Sequence, residues 1–308
     1  MPSSDPAVAL PQGAVARTLV ADATTRLRIA RSPSPRLDAE LLVAHAFGRD
    51  RTWLLAHPEA LLEPGAAELL AGWIGRRVAG EPIAYLRGFK EWLSLRLATD
   101  RRALIPRPET ELLAGAAITE IASRLAAHPG MVTVWEVATG GGAVAVALAL
   151  RFRAALTLGR LRLTASDLSP EALELAAENL SRHGVGRLLS LACGDLLDPA
   201  PRDARFDLLI ANLPYVPSAE VDGGEGSLAW EPRLALDGGP DGLDVVERLV
   251  TELPDRLAPD GVALLEIGAG QADGVRQLVG ALRSLFAVEA LLDLAGIERV
   301  LLISPRAA

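Results

Sequence analysis

An asparagine, a tight turn and an aromatic ring at the tip of a buried strand can hold a planar nitrogen. In this chain they are Asn212-Leu213-Pro214-Tyr215, which close the apolar run from Phe206 to Ala211. That run reads as a strand of a parallel sheet. The side-chain oxygen of Asn212 and the backbone carbonyl of Leu213 can both accept hydrogen bonds from an NH2 group, and Tyr215 can stack on its plane. In outline this is a methyl-acceptor site for an amide or amino nitrogen. A strand end followed by a proline turn would carry the same four residues with no chemistry at all.

Such a clamp needs a scaffold, and regular alternation beyond residue 130 supplies one. Strands are expected at Val132 to Val137, Leu161 to Ser166, Leu188 to Ala192, Phe206 to Ala211, Val262 to Ile267, Val288 to Leu294 and Arg299 to Ile303. Helices are expected at Ala143 to Ala154, Pro170 to His183, Leu243 to Leu257 and Gln271 to Phe286. Strands separated by helices of about 10 to 15 residues imply right-handed βαβ units and a parallel sheet covered on both faces. The last two runs are joined by a few residues around Gly296, too few for a crossover helix, so they pair as an antiparallel hairpin. That ending is typical of class I methyltransferases rather than of dinucleotide dehydrogenases.

Ligands of open α/β sheets bind beyond the carboxyl ends of the strands. The first strand runs into Glu136-Val137-Ala138-Thr139-Gly140-Gly141-Gly142. Consecutive glycines ahead of a helix let the backbone approach a ligand and adopt positive φ. The loop also satisfies a dinucleotide pattern loosely, through Gly140, Gly142 and Ala145. Asp167, ending the second strand, is placed to accept from two ribose hydroxyls, and Asp195, after the third, from an adenine amino group. Ser169-Pro170-Glu171 is itself a helix start, so Asp167 equally suits a turn. Glycine loop, Asp167, Asp195 and Asn212 thus mark the ends of four successive strands.

Composition bounds the rest. With 308 residues, 50% hydrophobic and 23% charged, the chain can build one large or two medium domains. A net charge of -8 and a pI near 5.2 argue against a broad nucleic-acid footprint, so no stable nucleic-acid partner is expected. Cys193 is the single cysteine, and His45, His57, His128 and His183 lack ligand-like spacing, so neither an internal disulfide nor a metal site is expected. No apolar run has membrane-spanning length and the N-terminus lacks a signal-peptide layout, which predicts a cytoplasmic protein; a monomer is expected. Residues 1–13, rich in Pro and Ser, are expected to fray. Helical periodicity over 14–81, broken at Pro33, Pro35, Pro58 and Pro64, predicts a small bundle. Short alternating runs over 82–105 suggest a hairpin or linker, and 106–308 is the catalytic domain.

Several segments together resemble the PrmC/HemK glutamine N5-methyltransferases, which modify peptide chain release factors. They are Ser34-Pro35-Arg36-Leu37-Asp38-Ala39-Glu40-Leu41-Leu42, Gly80-Glu81-Pro82-Ile83-Ala84-Tyr85-Leu86 and Leu104-Ile105-Pro106-Arg107-Pro108-Glu109-Thr110-Glu111. Further matches are Glu231-Pro232-Arg233-Leu234-Ala235-Leu236 and Leu264-Leu265-Glu266-Ile267-Gly268. The resemblance implies a class I S-adenosylmethionine-dependent methyltransferase: a Rossmann-like seven-stranded sheet with a terminal antiparallel hairpin, plus a small N-terminal helical bundle that docks the protein substrate. It implies that Ala138, Thr139, Gly140, Gly141 and Gly142 cradle the methionine part of S-adenosylmethionine, that Asp167 holds its ribose, and that Asp195 with Leu196 flanks its adenine. Asn212, Leu213, Pro214 and Tyr215 would hold the glutamine of a Gly-Gly-Gln loop, methylated for translation termination. Glu109, Glu111 and Glu266 are candidates for shaping the site.

Two departures stand out. The family usually has Asn-Pro-Pro-Tyr where this chain has Leu213, a form also typical of rRNA adenine dimethyltransferases. The first loop glycine is Ala138, and Gly141 stands where Thr or Ser is common. Three other readings stay open on these residues: an adenine N6-methyltransferase acting on rRNA or DNA, a nicotinamide-dependent oxidoreductase, and a non-catalytic cofactor-binding interaction protein.

Overall fold

The structure is a computed structural model that describes residues 13–224, 228–282 and 285–306. The expected frayed segment over 1–13 lies outside the described residues except for Gly13. The described chain divides into two compact units: one ends at Phe89 and includes Leu228–Trp230, and the other starts at Lys90 and takes the remainder.

The first unit is helical: α1 (Ala16–Ile29), α2 (Pro35–Ala46), α3 (Arg51–Ala56), α4 (Pro64–Val78) and α5 (Ile83–Arg87). Pro35 and Pro64 open α2 and α4 in the first turn, where the missing N–H costs nothing. Leu19, Leu27, Leu42, Leu70 and Ile74, spaced to fall on single helix faces, form its centre and are 1% exposed or less. Glu40 is buried with them, and its carboxylate accepts from Arg36 Nε (2.8 Å) and Arg51 Nε (2.6 Å). Burial pushes this carboxyl up, but the two arginines outweigh it and hold the pKa below its ordinary value.

The second unit begins at Lys90, within the first strand of a two-stranded sheet, β1 (Phe89–Trp92) and β2 (Leu95–Ala98). After α6 (Thr110–Ala127) come β3 (Val132–Val137), α7 (Ala143–Arg151), α8 (Arg153–Thr157), β4 (Leu161–Asp167), α9 (Pro170–Arg182), β5 (Ser190–Cys193) and β6 (Phe206–Asn212). Then follow α10 (Ser218–Asp222), α11 (Asp244–Arg256), β7 (Leu257–Glu266), α12 (Ala272–Ala281), β8 (Phe286–Leu292) and β9 (Glu298–Pro305). Among the described residues the main sheet has seven strands in the order β5-β4-β3-β6-β7-β9-β8. Pairings from β5 to β7 are parallel, whereas β9 runs antiparallel to both β7 and β8. The chain steps outward from β3 to β4 and β5, then returns to place β6 on the other side of β3. The reversal opens a crevice at the carboxyl ends of β3, β4 and β6, where a ligand can enter. A terminal antiparallel hairpin of this kind is the methyltransferase ending expected from the short Gly296 connection.

Apart from shifts of one or two residues at element ends, such as β5 and β8, four element positions differ from expectation. The helix starting at Ala143 breaks at Phe152, whose backbone leaves the helical region (φ -110°, ψ 25°) as its ring enters the core. The helix expected to reach Phe286 stops at Ala281. β7 starts at Leu257 rather than Val262, because a register irregularity opposite Phe206 and Leu208 lets Asp260 and Gly261 ride within the strand. α6 was not anticipated. Its buried positions Leu113, Ala114, Ala117, Ile121 and Arg124 recur at helical spacing, but alanine and Gly115 dilute the apolar contrast that would announce them. Among the described residues no helix is long and apolar enough to cross a membrane.

Candidate active site

One end of the candidate site is built where β3 meets α7. Backbone angles alternate there: Ala138 (φ 54°), Gly140 (φ 54°) and Gly142 (φ 79°) all occupy the left-handed region. Gly142 is required twice over, since an added Cβ would also sit 3.0 Å from that of Ala176 on α9. Gly141 differs, because the tightest contact of a Cβ there is the end of the Leu175 side chain, at 3.3 Å, with Ala103 at an ordinary 3.7 Å, so a Thr or Ser needs a small shift of Leu175. Ala138 is the less comfortable departure, because a left-handed non-glycine residue is strained.

Asp167 ties this loop to β4. Its Oδ2 accepts from the Gly140 N–H (2.8 Å) and its Oδ1 from the Ser169 N–H (2.9 Å). Burial nonetheless leaves its pKa above the ordinary value, with backbone hydrogen bonds opposing the rise. Each oxygen keeps a second lone pair for a ligand. Asp195, past the end of β5, accepts from Arg248 Nη2 of α11 at 2.5 Å, and next to it stands Leu196, buried with φ 44°.

Glu136, on β3, is 4% exposed. Thr139 donates its hydroxyl to Oε1 (2.8 Å), and Oε2 has no partner among the described residues. Burial, reinforced by the charge of Asp167, pushes this carboxyl up to about 8.

The other end lies at the tip of β6. Asn212 Nδ2 donates to Oγ1 of Thr110, the first residue of α6 (3.2 Å). Gln271 then clamps the turn, donating from Nε2 to the Tyr215 carbonyl (2.9 Å) while its Oε1 accepts from the Gly268 N–H (2.8 Å). Backbone bonds Val216 N to Leu236 O and Gly238 N to Val216 O, each 2.9 Å, fix the outgoing chain. A Cβ on Gly238 would lie 2.6 Å from the Pro214 carbonyl, so only glycine permits this approach. Tyr215 is largely buried, and burial, then the nearby Glu266 charge, pushes its phenol up to about 12.

Two segments far apart in sequence close the side of the site. The buried Glu231 carboxylate accepts from the Ile105 N–H (3.0 Å) and from Arg107 Nη2 (2.6 Å). Trp92 Nε1 donates to the Arg107 carbonyl (2.9 Å), which anchors the same strap to the small sheet. The Pro-rich stretch before α6 cannot make ladder bonds of its own, and these contacts substitute for them.

The result is a cavity of about 270 Å³ lined by both ends. Ala138, Thr139, Gly140, Gly141, Asp167, Asp195, Leu196, Asn212, Leu213 and Pro214 all line it, whereas Gly142 and Tyr215 do not. Gly142 stands behind the loop as the N-cap of α7, and Tyr215 closes the turn. A methyltransferase domain model matches residues 134–224, and a model described as the PrmC N-terminal domain matches residues 18–88. The release factor glutamine methyltransferase of Moorella thermoacetica is 38% identical over 286 residues, covering 93% of this chain and 97% of that one.

The chain belongs to the release factor glutamine methyltransferase family. A second member, from Deinococcus radiodurans, is 41% identical over 82% of this chain and 85% of its own. A solved protein-(glutamine-N5) methyltransferase (release factor-specific) from Alicyclobacillus acidocaldarius is 27% identical, with TM-score 0.39, over 66% of this chain and 95% of that chain.

The cavity of this family member is also lined or braced by residues to which the sequence alone assigned no role. Thr110, Arg107, Glu136 and Arg248 line it, and Glu231 and Gln271 brace it from behind. Glu136 carried a visible signal, an acid inside the otherwise apolar run 132–137. Thr110, though inside the quoted segment Leu104 to Glu111, and Arg248 showed nothing of their partners, which lie 102 and 53 residues away.

Proposed function

We infer that this protein transfers a methyl group from S-adenosylmethionine to the N5 nitrogen of the glutamine in the Gly-Gly-Gln segment of peptide chain release factors. The observation that carries this reading is that donor-side residues (Gly140, Asp167, Asp195) and acceptor-side residues (Asn212, Leu213, Pro214) line one cavity. The lining also fits the cofactor. Glu136 offers a buried, partly unpartnered carboxylate for a cationic group, the glycine loop permits close backbone approach, and Leu168, Leu196 and Val245 give an apolar wall for a flat base.

S-adenosylmethionine, when bound, supplies an electrophilic methyl group on a sulfonium. The chain's part is to present a poor nucleophile in line with it. An amide nitrogen has a delocalised lone pair, so Oδ1 of Asn212 and the Leu213 carbonyl would accept its two N–H bonds, orient the nitrogen and favour the positive charge that develops there, which is discharged when the methylated nitrogen loses one N–H proton to solvent. Leucine supplies this carbonyl as well as proline does, and its side chain is 3% exposed, which fixes the turn by packing instead of by ring closure. Asp167 would accept from the ribose hydroxyls, and Asp195, with Oδ2 taken by Arg248, would offer its other oxygen to the adenine amino group. Catalysis of this type is mainly positioning and electrostatics, and proximity can contribute up to about 7 to 11 kcal/mol. The helical unit is assigned to docking the release factor.

The test is incubation of the full chain with methyl-labelled S-adenosylmethionine and a purified release factor, followed by peptide mass spectrometry. Label on the glutamine of the Gly-Gly-Gln peptide supports the reading. Label in rRNA or DNA, or none on the release factor, overturns it.

A further inference from the structure

We infer that Glu266 is a positioning residue for the acceptor clamp, holding the Asn212 carboxamide with Nδ2 turned inward and Oδ1 presented to the cavity. The inference rests on the methyl-transfer reading above. β6 and β7 run parallel and in register, so Asn212 and Glu266 are paired neighbours, each the last residue of its strand. Glu266 is 1% exposed, and neither of its oxygens has a hydrogen-bond partner of regular geometry among the described residues. A buried carboxylate left in this state is costly to the fold and calls for a reason.

Its surroundings supply one. The Thr110 hydroxyl and the Asn212 amide are close enough to depress its pKa, yet burial, the largest influence, prevails with help from Glu109 and leaves it at about 7. Arg299 of β9 pulls the other way, but its Nε is already engaged by Asp293 at 3.1 Å. The Tyr215 phenol, itself influenced by Arg107, Arg299 and Glu109, completes the ring of groups. No arginine in this ring makes the direct bond that Glu40 and Glu231 enjoy.

The hydrogen-bond logic then follows from donors and acceptors. Asn212 Nδ2 donates to Thr110 Oγ1 (3.2 Å), which leaves the threonine proton to point at an acceptor. An ionised Glu266 is that acceptor, and it also draws on the Asn212 amide itself. Both bonds favour one of the two carboxamide orientations and polarise it, so that Oδ1 becomes a better acceptor for glutamine N–H. A protonated Glu266 reverses the preference, because its O–H seeks Oδ1 and turns Nδ2, a donor, toward the incoming NH2.

Glu266→Gln in the full chain, assayed with a release factor, tests the proposal. The expected loss in kcat is about 10- to 100-fold, the worth of one hydrogen bond to a charged group, with the calorimetric Kd for S-adenosylmethionine unchanged. Wild-type kcat should fall on the acid side of about pH 7, and the variant should lack this limb. Glu266→Asp should regain both rate and limb in part, and Glu266→Gln should add nothing in an Asn212→Ala background. An unchanged kcat, a persisting acid limb or additive losses would overturn the inference. If Glu266→Gln does not fold, Thr110→Val against Thr110→Ser reads the same contact. A slow Val and a near-normal Ser enzyme support it, and equal rates overturn it. A wild type that labels no release factor defeats the methyl-transfer reading, whereas active wild type with an equally active Glu266→Gln defeats only this one.

Discussion

Both units of the molecule bury glutamates, and they do so in opposite ways. Glu40 in the helical unit is met by Arg36 and Arg51, and its pKa lies below the ordinary value. Glu136 and Glu266 in the sheet unit lie at the ends of strands, retain oxygens with no partner among the described residues, and titrate near 8 and 7. Burial alone does not separate the cases, since Glu231 in the same sheet unit is buried yet clasped by Arg107. What separates them is whether the fold itself supplies the compensating charge. Glu40 and Glu231 brace structure. Glu136 lines the cavity, and Glu266 sits beside Asn212 at the strand tip, and among the described residues no arginine of the fold bonds either carboxylate. Stability given up at such positions is a common signature of a working site.

The sharpest way to break this contrast is at the acceptor clamp. Asn212→Ala should cut methyl transfer by at least about 100-fold, the scale for removing one preorganised transition-state hydrogen bond, while calorimetry finds the S-adenosylmethionine Kd unchanged. Equal turnover would remove Asn212 from the mechanism.

Next is the pH dependence of stability, where the two kinds of glutamate predict opposite slopes. The folded pKa of Glu136, about 8, lies above its ordinary value of 4.5, so between these pH values the folded state binds more protons than the unfolded chain. Its contribution is therefore fully present below 4.5 and is lost as pH rises toward 8. Glu136→Gln should flatten the fall in melting temperature over that window. Glu40, with a lowered folded pKa, stabilises above 4.5 and loses this as pH falls further, so Glu40→Gln should flatten the acid side only. Identical pH profiles for the two variants would erase the distinction between them.

Smaller effects are expected on the donor side. Asp167→Ala should weaken S-adenosylmethionine by about 1 to 3 kcal/mol in calorimetry, the cost of lost ribose hydrogen bonds. An unchanged Kd would count against the ribose assignment. Ala138→Gly should raise the melting temperature slightly, because relief of the left-handed strain, about 1 to 2 kcal/mol, exceeds the added chain entropy of glycine by less than about 1 kcal/mol. A lower melting temperature would show that Ala138 is not strained.

Much of the sheet was legible because parallel strands buried on both faces leave continuous apolar runs. Val132 to Val137 is an example, and its ends match β3. The terminal hairpin was legible from the short connection at Gly296. Helix α6 was hidden by its own composition, and the length of β7 by the polar pair Asp260-Gly261 inside it. In the site, Asp167 and Asn212 were visible because strand tips are where side chains reach a crevice. The partners that define their chemistry were not, because sequence does not display which distant side chain meets them. Thr110 reaches Asn212 only once α6 packs, and Arg107 finds Glu231 only once the Pro-rich strap closes. Nor does a lone acid such as Glu136 or Glu266 reveal from sequence whether an arginine will meet it.

A crystal structure of the protein with S-adenosylhomocysteine and a Gly-Gly-Gln peptide tests the acceptor geometry most directly. Oδ1 of Asn212 and the main-chain oxygen of Leu213 should each lie about 2.7 to 3.2 Å from the glutamine side-chain nitrogen, with that nitrogen facing the cofactor sulfur. A peptide glutamine bound elsewhere, or an Asn212 that turns Nδ2 toward it, would contradict the clamp.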